Sequence, residues 1–112
     1  DFHAEASSEK CALGHYLDGR VSAIVGTHSH IPTADQRILD GGTAFQSDVG
    51  MTGPLDSVIG ADKALVIDHF LTQMPLKIEV AKGPKVFQAL EIEIDDDSRK
   101  AIGLEFIQKT ID

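Results

Sequence analysis

Two histidines one residue apart, in Gly26-Thr27-His28-Ser29-His30, follow the short apolar run Ala23-Ile24-Val25. The apolar run predicts a buried β-strand. Because residues i and i+2 of extended backbone project to the same side, the end of such a strand can direct both rings into one pocket, and Gly26 is expected to let the chain turn there. Neutral imidazole is the commonest protein ligand for metals. The pair therefore predicts part of a metal site.

A third histidine, His3, lies in Asp1-Phe2-His3-Ala4-Glu5-Ala6, where a predicted strand end leads into a helix. If that strand lies beside the Ile24-Val25 strand, its carboxyl end brings His3 to the same edge of the sheet. In open α/β sheets this is the edge at which ligands bind. The alternative is that His3 and Glu5 are ordinary residues of an N-terminal turn.

The elements that must position these side chains form a mixed α and β pattern. Residues Ser8 to Asp18 predict a helix that ends at Gly19 and has Cys11, Ala12, His15 and Tyr16 near one face. A long glycine-rich passage, Ile31 to Gly60, contains a predicted strand at Thr43 to Ser47. Its Asp35 and Asp48 are the nearest acidic candidates to contact a ligating imidazole, and turn formation is the alternative for each.

The sequence pattern in the second half of the chain predicts a helix and a hairpin. Residues Asp62 to Gln73 are expected to form a helix that ends before Pro75. Apolar and acidic residues then alternate from Leu90 to Asp95, and the alternation returns at Ile102, Leu104 and Phe106 after an Asp96-Asp97-Ser98 turn. This pattern predicts an antiparallel hairpin with one solvated face, and Ile78 to Ala81 is a candidate further strand.

Composition favours one small domain inside the cell. The chain has 112 residues, 42% of them hydrophobic, and a formal net charge of −8. The acidic balance argues against binding long nucleic acid through its phosphates, and no apolar segment is long enough to span a membrane. The single cysteine, Cys11, excludes an internal disulfide, so a reducing, cytoplasmic compartment is expected.

Several separate motifs resemble the YmdB-type branch of the calcineurin-like metallophosphoesterases. The matching segments are Asp1 to Lys10, Tyr16 to Ala23, Gly26 to His30, Asp48 to Pro54 and Asp56 to Gly60. The resemblance implies a dinuclear metal centre in which His3 and His28 bind one divalent ion and His30 binds the other. The ions are expected to be iron or manganese, with zinc as a further candidate.

The resemblance also implies that residues 1–112 are the C-terminal portion of a single metallophosphoesterase domain. The family's remaining ligands and its catalytic histidine belong to an N-terminal half whose motifs do not occur here, so no catalytic residue is assigned to this chain. The expected fold is α/β, the C-terminal half of a four-layer α/β/β/α sandwich with mixed sheets. The expected function of the full-length protein, a homo-oligomer, is hydrolysis of a small phosphodiester, with 2′,3′-cyclic nucleotides as the implied substrate class.

Two alternatives from other classes stay open. The three histidines could hold a structural zinc, although such sites usually close with a fourth protein ligand and the only cysteine lies on a helix away from the pair. The chain could also be an interaction module whose histidines merely pack and bind no metal.

Overall fold

Seven strands and two helices make up the computed structural model, which describes residues 1–112. In chain order they are β1 (Phe2–His3), α1 (Ser7–Leu17), β2 (Ala23–Thr27), β3 (Arg37–Ile38), β4 (Ala44–Gln46), β5 (Gly53–Pro54), α2 (Lys63–Thr72), β6 (Lys85–Ile94) and β7 (Ala101–Ile111). The residues group into two compact units: Asp1–Gly50 with Gln88–Ile107, and Met51–Phe87 with Gln108–Asp112. The predicted mixed α/β class is confirmed.

The first unit contains a four-stranded sheet of order β1-β2-β4-β3. Strand β2 runs parallel to both β1 and β4, whereas β3 pairs antiparallel with β4. In the β1–β2 register, Phe2 lies opposite Gly26 and His3 opposite Thr27. The strand pairing on which the argument for His3 depended is therefore present, and it brings His3 to the carboxyl end of β2.

Helix α1 packs on this sheet through a face that differs from the predicted one. The core consists of Ile24, Leu39 and Phe45, with the helix residues Cys11, Leu13 and Leu17 packed against it. Gly14 lets the helix approach closely, because a Cβ there would lie 2.7 Å from the Phe45 ring. Of the predicted face only Cys11 takes part, since Ala12, His15 and Tyr16 are exposed. Lys10 is buried instead.

In the second unit, a carboxylate caps the N-terminus of helix α2. The Asp62 side chain caps the helix by accepting hydrogen bonds from the Ala64 and Leu65 amides, which satisfies donors that a helix start leaves without partners. Helix α2 ends before Pro75, as predicted. The candidate strand at Ile78 to Ala81 does not form, and its only bridge joins Val80 to Ala61.

The predicted hairpin is formed by β6 and β7. Its turn closes where the Asp95 amide donates to the Lys100 carbonyl at 2.9 Å, and Arg99 takes the left-handed conformation with φ 63°. The solvated face was placed only in part: Leu104 and Phe106 are half-buried as expected, but Ile102 is 58% exposed. No helix of the chain has the length and apolar character needed to cross a bilayer.

Candidate functional site

The histidine pair at 28 and 30 lies in a turn beyond the end of β2, which stops at Thr27. His28 has a φ of 141° and His30 a φ of 67°, so neither is in extended backbone. The expectation that the pair continues the extended backbone of the strand is therefore wrong. Non-glycine residues held in such conformations cost of order 1–3 kcal/mol each, and they persist only where surrounding contacts hold them.

Gly26 is needed for a different reason from the one predicted. It is not among the glycines with positive φ, so it does not supply the turn. A Cβ at Gly26 would lie 1.8 Å from the Ser47 carbonyl oxygen and 2.7 Å from Lys10 Cδ. The missing side chain thus allows the backbone that follows β4 to lie directly against β2, immediately before the histidine turn.

The structure brings His3 and His28 into contact. Nε2 of His3 lies 3.2 Å from Nδ1 of His28, and the ring centroids are 5.0 Å apart in an edge-to-face arrangement. Both residues are exposed, at the carboxyl edge of the parallel strands. These are the two histidines that the family resemblance assigns to the same ion.

A chain of hydrogen bonds fixes the orientation of the His3 ring. The Thr27 hydroxyl donates its one proton to the Asp1 carboxylate at 3.0 Å and lies 2.9 Å from His3 Nδ1. Because the carboxylate only accepts, Thr27 Oγ1 must accept from His3 Nδ1–H. In the neutral ring this leaves the lone pair on Nε2, the nitrogen that faces His28. An outer hydrogen bond of this kind is what orients metal-ligating histidines.

Asp48 stabilises the histidine turn through hydrogen bonds to backbone amides. Its carboxylate accepts the Ser29 amide at 2.8 Å and the Gly50 amide at 2.9 Å, and Lys10 Nζ lies 3.4 Å from it. Burial raises the pKa of Asp48, but the hydrogen bonds from the Ser29 and Gly50 amides and from Lys10 outweigh it, so the pKa lies below its ordinary value. Asp48 is therefore a charged group that orders the turn.

Asp35, the other acidic candidate, belongs to a separate network. Its carboxylate accepts from the Thr33 hydroxyl at 2.7 Å and from the Ser47 amide at 3.1 Å. Burial raises its pKa, whereas the hydrogen bonds from Ser47 and Thr33 lower it, and the net pKa is below the ordinary value. The turn-forming interpretation fits Asp35, which stabilises the passage leading into Asp48.

His30, the second histidine of the turn, is exposed. Nowhere in the chain do three or more His, Cys, Asp or Glu side chains form a group able to hold one metal ion. The chain thus presents a pair of convergent nitrogens, His3 and His28, and the ligand role of all three histidines stays a prediction. Sequence reasoning missed Lys10 and Thr27, and neither stands out by residue type or spacing.

Comparison with known proteins gives a consistent result. A family described as "YmdB-like protein" matches residues 1–107. The chain is 53% identical over 107 residues to a protein of Bacillus subtilis (strain 168) named "2′,3′-cyclic-nucleotide 2′-phosphodiesterase", and the match covers 96% of this chain and 40% of that protein. The chain therefore spans about two fifths of the length of this relative.

Two solved structures are similar in fold. A hypothetical protein from Thermus thermophilus superimposes with a TM-score of 0.89 at 44% identity, over 96% of this chain and 42% of that one. A crystal structure described as a novel phosphatase of Mycoplasma pneumoniae gives a TM-score of 0.94 at 41% identity, over 98% of this chain and 40% of that one. The resemblance stated from the sequence motifs is thereby confirmed.

Proposed function

Because the chain belongs to the YmdB-like family, we propose that it forms part of a metal-dependent phosphodiesterase that hydrolyses small phosphodiesters, with 2′,3′-cyclic nucleotides as the substrate class. The observation that carries this proposal is the contact between His3 and His28 at the carboxyl edge of the sheet. The relative with 53% identity, named as a cyclic-nucleotide phosphodiesterase, supports the substrate class. Residues outside these 112 would complete the catalytic centre.

The paired histidines fit a divalent ion. Imidazole nitrogens bind Zn²⁺ at about 2.0–2.1 Å, so two nitrogens on one zinc ion can lie no more than about 4.2 Å apart. The observed separation of 3.2 Å is within that limit. The donor set, neutral nitrogen, suits iron, manganese or zinc, and we propose iron or manganese. His30 is proposed as a ligand of a second ion.

Each residue of this site has a defined task. His3 presents the Nε2 lone pair, and the Thr27 hydroxyl and the Asp1 carboxylate hold that tautomer. His28 donates Nδ1–H to this lone pair, and it would supply Nδ1 as the second ligand once its proton is on Nε2. Since these ligands are neutral, they leave the positive charge of the site uncompensated, which favours an anionic phosphodiester. Two divalent ions, when bound, stabilise the charge on the phosphoryl oxygens and lower the pKa of an attacking water.

The test compares two histidine variants of the full-length protein. After chelation, Mn²⁺ or Fe²⁺ is added back and hydrolysis of a 2′,3′-cyclic nucleotide is measured together with metal content. We expect His28→Ala to abolish turnover and to lower metal content. His15→Ala, which removes an exposed histidine of α1, is the matched control and should behave as the parent protein does. Full turnover of His28→Ala would refute the proposal. So would a parent protein that binds no metal after Mn²⁺ or Fe²⁺ is added back.

The same proposal extends to the complete domain, its oligomeric state and its location in the cell. We expect the complete domain to be a four-layer α/β/β/α sandwich in which residues 1–112 form the C-terminal portion, and we expect a homo-oligomer. The single cysteine favours a cytoplasmic location. A fourth protein ligand closing the site around zinc would instead favour the structural role.

A further inference from the structure

Lys10 and Asp48 form an ion pair in the interior of the first unit. The Nζ to Oδ2 distance is 3.4 Å, and the two side chains are only 4% and 2% exposed. The chain's two other ion pairs, Lys63 with Asp56 and Lys77 with Glu79, lie on the surface. Burying two charges is costly, and apolar side chains of similar volume often give equal or greater stability. Stability alone therefore does not explain why this position holds a buried pair.

The backbone contacts of the pair explain its location. Lys10 Nζ donates to the Thr27 carbonyl oxygen at 3.3 Å, and Asp48 Oδ2 accepts from the Ser29 amide at 2.8 Å. These two groups belong to the peptide planes on either side of His28. The φ and ψ angles of His28 are set by how those two planes are oriented, so the pair holds both planes that define its backbone conformation. That conformation is the strained one, with φ 141°.

We propose that Lys10 and Asp48 are positioning residues that keep His28 in its strained conformation, with its ring beside His3, before any metal arrives. This inference rests on the proposed metal site and adds to it a cause of preorganisation. Lys10 extends from α1 across the backbone of Gly26, where its Cδ would lie 2.7 Å from an added Cβ. The pair thus connects the helix to the turn, and the Gly50 amide fixes the second carboxylate oxygen at 2.9 Å.

The decisive variant is Lys10→Met with Asp48→Leu in the full-length protein. Replacing both charges with apolar side chains leaves no unpaired buried charge, so the fold is expected to survive while both contacts to the turn are lost. Residues that orient metal ligands typically change metal affinity about 10- to 100-fold when removed. We expect a loss of that size in Mn²⁺ affinity, measured by titration of the metal alone. Lys63→Met, which disrupts the exposed pair with Asp56, is the matched control and should leave the affinity unchanged.

A second readout needs neither metal nor variant. In the metal-free parent protein, the Ser29 amide should exchange its hydrogen slowly, because Asp48 holds it. Exchange of the Ser29 amide at the rate of an open loop would overturn the inference, as would a folded double variant that binds Mn²⁺ as tightly as the parent. A parent protein that does not bind Mn²⁺ would instead refute the proposed metal site, so the two failures are distinguishable.

Discussion

Replacing Gly26 with alanine should destabilise the protein far more than an ordinary glycine substitution. The added Cβ would lie 1.8 Å from the Ser47 carbonyl oxygen and 2.6 Å from the Ser47 carbonyl carbon, and real Cβ contacts are essentially never below 3.0 Å. The backbone after β4 would have to move away by about 1.2 Å. Such a movement also strains the 3.0 Å hydrogen bond from the Val49 amide to the Gly26 carbonyl.

The expected magnitude combines two terms. Overpacking a rigid site costs about 1–3 kcal/mol, and each weakened backbone hydrogen bond adds about 1 kcal/mol. Because the obstacle at Gly26 is backbone, which cannot rotate away as a side chain can, we expect the upper end, about 3–4 kcal/mol. This is a large fraction of the roughly 5–15 kcal/mol by which a domain is stable.

Urea unfolding followed by circular dichroism provides the measurement. Gly53→Ala is the matched control, because the nearest atom to its added Cβ is Met51 Sδ at an ordinary 3.8 Å. The control should change the free energy of unfolding by less than about 1 kcal/mol. A loss below about 1 kcal/mol for Gly26→Ala would show that the strands can separate freely and that Gly26 is not needed for their close approach.

Two further predictions concern hydrogen bonds around the site. Thr27→Val keeps the side-chain shape but removes the oxygen that accepts from His3 Nδ1–H. The affinity for Mn²⁺ should therefore fall about tenfold. An unchanged dissociation constant for Mn²⁺ would contradict the tautomer argument. Burial raises the pKa of Asp35, but hydrogen bonds from Ser47 and Thr33 outweigh it, so the pKa is lowered in the folded protein. The ionised Asp35 carboxylate therefore stabilises the folded state fully above the ordinary pKa of 3.8, and this stabilisation is lost as pH falls through the lower folded pKa. Asp35→Asn should accordingly destabilise the protein at pH 7 and less so at about pH 3 in urea unfolding, and an equal loss at both pH values would count against this cause.

Local sequence patterns were sufficient for most of the elements. The apolar run at Ala23 to Val25, the alternation after Leu90 and the helix expected to end before Pro75 each correspond to an observed strand or helix. These signals succeed because they reflect the pleat of a strand and the restriction that a proline places on the residue before it, which depend on near neighbours. The placement of β1 beside β2 was only a condition of the argument for His3, and the structure shows the two strands paired in parallel.

The failures have a common physical origin in distant partners. Lys10 is buried because a carboxylate 38 positions away in the sequence meets it, and no periodicity in α1 carries that information. Gly26 looked like a turn residue, but its role is set by the Ser47 carbonyl on another segment. Ile78 to Ala81 has strand-like composition but gains only a single bridge, to Ala61.

The unusual backbone of the histidine turn is a second structural argument for a functional role. Glycine would adopt the φ of 141° at position 28 without strain, whereas a residue with a Cβ does so at a cost. The chain nevertheless has an imidazole there, together with a buried ion pair that restrains the peptide planes on both sides. A purely structural turn would need neither. We attribute the strain to a functional requirement, because the turn holds Nδ1 of His28 3.2 Å from Nε2 of His3.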